Sequence, residues 1–118
     1  MIKNKSGVII CTASADGRSG LAGDASYVTS KWGVVGLVKA AALDLGPYNI
    51  RVAVVAPGTT ATGMTLNQAS YEWTSPSNPT RQGWEQANQM MNALPSPYLN
   101  PEDIAVACCT WPRHWRGL

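Results

Sequence analysis

The chain has 118 residues, 45% of them hydrophobic and 14% charged, with a formal net charge of +2. Average soluble proteins carry about 25% charged residues, so much of this chain is expected to lie under other structure. The small charge gives no footprint for nucleic acid, and no apolar run reaches the ~20 residues of a membrane span.

In chain order, Met1-Ile2-Lys3-Asn4-Lys5 runs straight into an apolar segment, so no signal peptide is expected. Gly7-Val8-Ile9-Ile10-Cys11-Thr12 is a short continuous apolar run, the pattern of a strand buried on both faces in a parallel sheet. Residues 13–23, rich in Ala, Ser, Asp and Gly, form a loop. A helix is predicted over 26–45, capped by Asp24 or Ser26 and ended by Gly46-Pro47, with the glycine in the left-handed conformation. A second buried strand covers 50–56, closed by Pro57-Gly58. Strand, helix and strand at this spacing make a βαβ unit with parallel strands. Residues 59–100 hold four prolines and read as a long loop with one helix over 83–93. Pro101-Glu102-Asp103 opens a last helix expected to run through 107.

The fold class is therefore α/β, a partial Rossmann-like doubly wound parallel sheet. Two strands cannot complete such a sheet. The helix at 26–45 is also apolar nearly all round, which implies burial or a subunit interface. Both features point to partners outside this chain. The three cysteines, Cys11, Cys108 and Cys109, lack the spacing of a disulfide framework, and His114 is the only histidine. Neither a disulfide scaffold nor a metal site is expected, and the setting reads as cytoplasmic.

The chemistry concentrates in Ser14 and in Tyr27-Val28-Thr29-Ser30-Lys31. On a helix, Tyr27 and Lys31 leave the same face. Such a pair alone is usually a solvated helix face. It is also a known device: tyrosine titrates near 10 in isolation, and a nearby cation favours the phenolate. The phenol can then exchange a proton with a substrate oxygen. Ser14 ends the first strand, and open α/β sheets bind ligands at the carboxyl ends of their strands.

The surrounding text resolves the ambiguity. Ser-Gly-Val-Ile-Ile-Cys-Thr-Ala-Ser, then Tyr-x-x-x-Lys, Gly-Val-x-Gly-Leu-x-Lys, Leu-Gly-x-x-x-Ile-Arg-Val and Pro-Gly-x-x-x-Thr-x-Met follow one another in order. Together they resemble the catalytic, C-terminal portion of the short-chain dehydrogenase/reductase family. Asn78-Pro79-Thr80 and the stretch from Asn92 to Ile104 are similar to its carveol-dehydrogenase-like, mycofactocin-associated branch, although Pro57-Gly58-Thr59 departs from the Pro-Thr of that branch. The resemblance implies an NAD(P)-dependent oxidoreductase interconverting a secondary alcohol and a ketone. Its catalytic residues would be Ser14, orienting the substrate oxygen, Tyr27, the general acid/base, and Lys31. Tyr27, Lys31, Pro57, Gly58 and Thr62 would face the NAD or NADP cofactor. By themselves, Pro57-Gly58 reads as a turn and Thr62 as a helix cap. The aromatic and Met-rich stretch with Met64, Trp73, Trp84, Met90 and Met91 falls where the family builds its substrate lid, at about 59–100. That implies a small apolar alcohol or ketone substrate, and the full-length family form implies a homo-oligomer.

The family's pyrophosphate-binding Gly-x-x-x-Gly-x-Gly does not occur in this chain. Gly17, Gly20 and Gly23 follow the wrong strand for that role. The expectation is a catalytic portion, 1–107, inactive alone; the alternative is a non-enzymatic truncated remnant that associates with intact homologues. Residues 108–118 read as an aberrant, out-of-frame tail. Pro112 is expected to break the last helix, and Cys109-Thr110-Trp111-Pro112-Arg113-His114-Trp115-Arg116 has no apolar stripe. Reading instead from the last base of the Cys108 codon allows Leu-Tyr-Leu-Ala-Ser, which the family commonly shows there.

Overall fold

The computed structural model describes residues 1–114, with side chains through 110; residues 115–118 of the expected tail lie outside the described residues. The chain divides into two compact units, Met1–Pro57 joined by the stretch from Ala107, and Gly58–Val106.

The first unit is the βαβ motif. Strands β1 (Gly7–Thr12) and β2 (Ile50–Val55) pair in parallel, with register running from Gly7 opposite Ile50 to Thr12 opposite Val55. Each strand follows a residue in the left-handed conformation, Lys5 at φ 46° and Asn49 at φ 55°. Asparagine tolerates that region better than branched residues do. The Asn49 side-chain amide also donates to the Lys5 carbonyl at 3.2 Å, so the two strand starts are tied together. Helix α1 (Ala25–Leu45) makes the crossover and packs mainly against β2.

Three expectations for this unit change. The strands are half-buried rather than buried on both faces, because a single helical layer covers two strands; Cys11 is likewise half-buried. Asp24 is the N-cap by position but makes no side-chain cap bond, and Ser26 lies inside the helix. Gly46 stays right-handed at φ −52°, so α1 passes directly into a 3-10 turn, Gly46–Tyr48, and Asn49 supplies the left-handed residue. Helix α1 buries only Val38, while Trp32, Leu37 and Leu43 are 51%, 64% and 80% exposed. Its apolar surface is thus left open within this chain.

The second unit holds α2 (Gln68–Thr74) and α3 (Arg81–Met91). Helix α2 was not expected; its signal is Asn67, whose side chain accepts from the Ser70 N–H at 2.9 Å, a cap followed by only seven helical residues. Thr80 caps α3 in the same way. The core is Trp84, 1% exposed, stacked on Tyr98 at 5.8 Å and tilted against Tyr71 at 6.1 Å. Arg81 clasps this cluster through Glu85 and Tyr98, and those hydrogen bonds, Glu85 first, raise its pKa. Trp73, Met64, Met90 and Met91 are exposed.

Helix α4 spans Pro101–His114. The Asn100 N–H donates to the Asp103 carboxylate at 2.8 Å, the half of a capping box in which the third helical residue reaches back to the cap. The helix continues through Pro112, contrary to the expected break.

Candidate active site

The two strands of the first unit end side by side. The Ala13 N–H donates to the Val55 carbonyl and the Ala15 N–H to the Pro57 carbonyl, both at 2.8 Å. Ser14 lies between these two bonds, so the backbone ladder itself places it beside Pro57. Ser14 is 7% exposed. Its Oγ accepts the Asp16 N–H at 3.1 Å and donates to Asp16 Oδ2 at 3.2 Å, capping the 3-10 turn Ala15–Gly17. The hydroxyl expected to face substrate is therefore engaged in its own turn.

Tyr27 and Lys31 stand one turn apart on α1, both half-buried. Lys31 Nζ lies over the Tyr27 ring, 5.4 Å from its centroid. This is within cation–π reach, so the ammonium sits against the ring face. Among the described residues, neither the Tyr27 hydroxyl nor the Lys31 ammonium makes a hydrogen bond.

Two residues that the sequence reading left outside the site hold this arrangement. Gly17 is buried, and a Cβ there would lie 3.0 Å from the Lys31 carbonyl oxygen and 3.2 Å from Val35 Cγ2. A side chain there would be tighter than an ordinary contact, so glycine suits the close approach of the turn after Ser14 to the backbone that carries Lys31. The indole N–H of Trp32 donates to the Ser19 carbonyl at 3.1 Å, pinning the rest of the loop to α1. Gly17 thus has a packing role. No sequence signal separates it from its neighbours Gly20 and Gly23, since the contact is with a residue 14 positions on.

Gly58 and Thr62 belong to the second unit. A Cβ on Gly58 would meet nothing within 4 Å. Thr62 Oγ1 accepts the Met64 N–H at 3.3 Å, as a cap of a short turn. Among the described residues no cluster of metal-binding side chains occurs, and no helix is long and apolar enough to cross a membrane.

A parallel βαβ unit with Ser14 just past the carboxyl end of β1 and Tyr27 and Lys31 on its crossover helix has the architecture of nucleotide-dependent α/β enzymes. The family model for short chain dehydrogenase matches residues 1–73, and the chain belongs to that family of oxidoreductases. It is 39% identical over 105 residues to (-)-trans-carveol dehydrogenase of Rhodococcus erythropolis, covering 87% of this chain and 38% of that protein. It is 50% identical over 64 residues to trans-4-hydroxycyclohexanecarboxylate dehydrogenase of Sinomonas cyclohexanicum, covering 54% of this chain and 25% of that protein. The crystal structure of a carveol dehydrogenase from Mycobacterium avium in complex with NAD superposes with a TM-score of 0.86 at 34% identity, over 90% of this chain and 39% of that one. The fold is accordingly a partial Rossmann-like α/β fold, and the chain spans under half the length of these relatives.

Proposed function

We propose that this chain is the catalytic portion of an NAD(P)-dependent dehydrogenase that interconverts a small, apolar secondary alcohol and its ketone. The observation that carries the reading is the Tyr27–Lys31 pair, half-buried on one face of α1 with the ammonium 5.4 Å from the ring centroid. In this reading the Tyr27 hydroxyl exchanges a proton with the substrate oxygen. Lys31 supplies the positive charge beside the phenol and holds the nicotinamide ribose. Ser14 orients the substrate oxygen by turning its hydroxyl away from Asp16. Pro57 and Gly58 border the nicotinamide, and Thr62 reaches its carboxamide or the phosphates. When bound, the nicotinamide accepts or delivers the hydride.

In this reading the chain supplies the nicotinamide end of the cofactor site, and a Cβ at Gly58 would meet nothing within 4 Å. The residues present do not fit the pyrophosphate end, since Gly17 is occupied in packing on Lys31. Another stretch of polypeptide must supply the pyrophosphate turn. The named substrates of two relatives, carveol and hydroxycyclohexanecarboxylate, support a cyclic secondary alcohol. Association with carveol-dehydrogenase-like, mycofactocin-linked enzymes is part of the same proposal, as is a cytoplasmic setting, which suits three free cysteines. The open flank of α1, with Leu37 and Leu43, suits a homo-oligomer of the completed protein. We assign residues 1–107 to the catalytic portion and regard 108–118 as out of frame.

The test is turnover. Joined to a glycine-rich nucleotide-binding half from a relative, the chain should generate reduced nicotinamide from a cyclic secondary alcohol. A folded, dinucleotide-binding fusion that oxidises no secondary alcohol would sink the proposal.

A further inference from the structure

Asn88 lies on α3 and is 4% exposed. Burying a side-chain amide is costly unless its groups are paired. Both of its polar atoms are paired, and in different directions. Its Nδ2 donates to the Trp84 carbonyl at 2.8 Å, within its own helix. Its Oδ1 accepts the Thr59 hydroxyl at 2.8 Å, across a sequence gap of 29 residues.

Thr59 starts a segment that is also held by backbone bonds and by the Thr65 hydroxyl, which donates to the Thr60 carbonyl at 2.5 Å. The Leu99 N–H donates to the Thr59 carbonyl at 2.9 Å, and the Ala61 N–H donates to the Leu99 carbonyl at 2.8 Å. The Thr62 N–H donates to Thr65 Oγ1 at 3.1 Å. Segment 58–62 is thus fixed on one side by Leu99 and at its end by Thr65. The side-chain tie between it and α3 is Asn88 to Thr59.

We infer that Asn88 is a positioning residue: its buried amide ties α3 to Thr59 and sets the backbone of 58–62 in the shape that receives the nicotinamide. The inference rests on the proposed nicotinamide role of Gly58 and Thr62. It makes the stretch around α3 a determinant of cofactor binding, although no residue of α3 touches the cofactor in that reading. Loss of the Asn88 acceptor frees the Thr59 hydroxyl and loosens the segment. The consequence falls on nicotinamide binding while the tyrosine chemistry is untouched.

Hydrogen exchange on the 118-residue chain, read by mass spectrometry over peptides covering 58–66 and 96–100, tests this. Thr59→Val removes the hydroxyl at constant shape, Asn88→Leu removes the amide, and Thr59→Ser keeps the hydroxyl. A net hydrogen bond is worth about tenfold in a local opening equilibrium. Thr59→Val and Asn88→Leu should therefore speed exchange in these peptides about tenfold. Thr59→Ser should match the parent, and the β1 and β2 peptides should not change. Excess nicotinamide mononucleotide should slow exchange at 58–62 in the parent and in Thr59→Ser, and less in the other two. Unchanged exchange in both Thr59→Val and Asn88→Leu overturns the inference. So does equal loosening in all three variants. If the variants behave as expected but the mononucleotide protects nothing in the parent, the nicotinamide reading of 58–62 fails while the tie itself stands.

Discussion

The site depends on single atoms placed by backbone geometry. At Gly17 a Cβ would lie 3.0 Å from the Lys31 carbonyl oxygen, so Gly17→Ala requires the turn or α1 to give by a few tenths of an ångström. Overpacking of this kind costs about 1–3 kcal/mol; thermal denaturation should show the lowered stability, and a Gly17→Ala melting curve that overlays the parent would refute the packing role. Asn49 combines φ 55° with the bond to Lys5. Asn49→Val should cost about 1–2 kcal/mol from the left-handed backbone alone, whereas Asn49→Gly should keep most of the stability; equal losses in urea titrations would contradict the backbone explanation. Tyr27 and Lys31 were legible because helix periodicity puts i and i+4 on one face. The contact of Nζ with the ring, the inward turn of the Ser14 hydroxyl and the role of Gly17 were not legible, because each depends on rotamers or on contacts distant in sequence.

At the scale of elements, the apolar runs at Gly7–Thr12 and Ile50–Val55 identified both strands, and the parallel pairing followed from the helix between them. The end of α1 differs from the sequence expectation because Gly46 and Asn49 both lie at the helix end and the chain uses the asparagine as its left-handed residue. Helix α2 was missed because seven residues carry too little periodicity to register. In α3, a Cβ at Gly83 would fall inside contact distance of the Asn78 backbone carbonyl. Gly83→Ala should therefore destabilise the second unit by about 3 kcal/mol, the upper part of the overpacking range. Exchange should rise across 58–106 and stay unchanged in β1 and β2; protection at 58–106 equal to the parent would show that the carbonyl yields freely. The continuity of α4 through Pro112 removes the helix-break argument for a shifted frame. Sequencing of the gene tests the shifted frame: it should continue into an apolar strand and a glycine-rich end, and an immediate stop would end the proposal.

At the scale of the whole molecule, low charge and the open flank of α1 belong together. A chain with 14% charged residues that leaves Leu37 and Leu43 exposed presents surface that a larger family member would cover. In the proposed reading this chain holds the nicotinamide end of the cofactor and another segment supplies the pyrophosphate turn. Calorimetry on the 118-residue chain should accordingly show no micromolar binding of NAD(H) or NADP(H); such binding by a monodisperse monomer would contradict the assignment of the cradle to another segment. The central claim is the proton-transfer role of Tyr27, and kcat of Tyr27→Phe in the chain completed by a nucleotide-binding half tests it most directly. Removing one oxygen should leave the fold and dinucleotide affinity intact and lower kcat by about 10²–10⁴-fold, the range of general acid–base contributions. A Tyr27→Phe enzyme with near-parental kcat would contradict it.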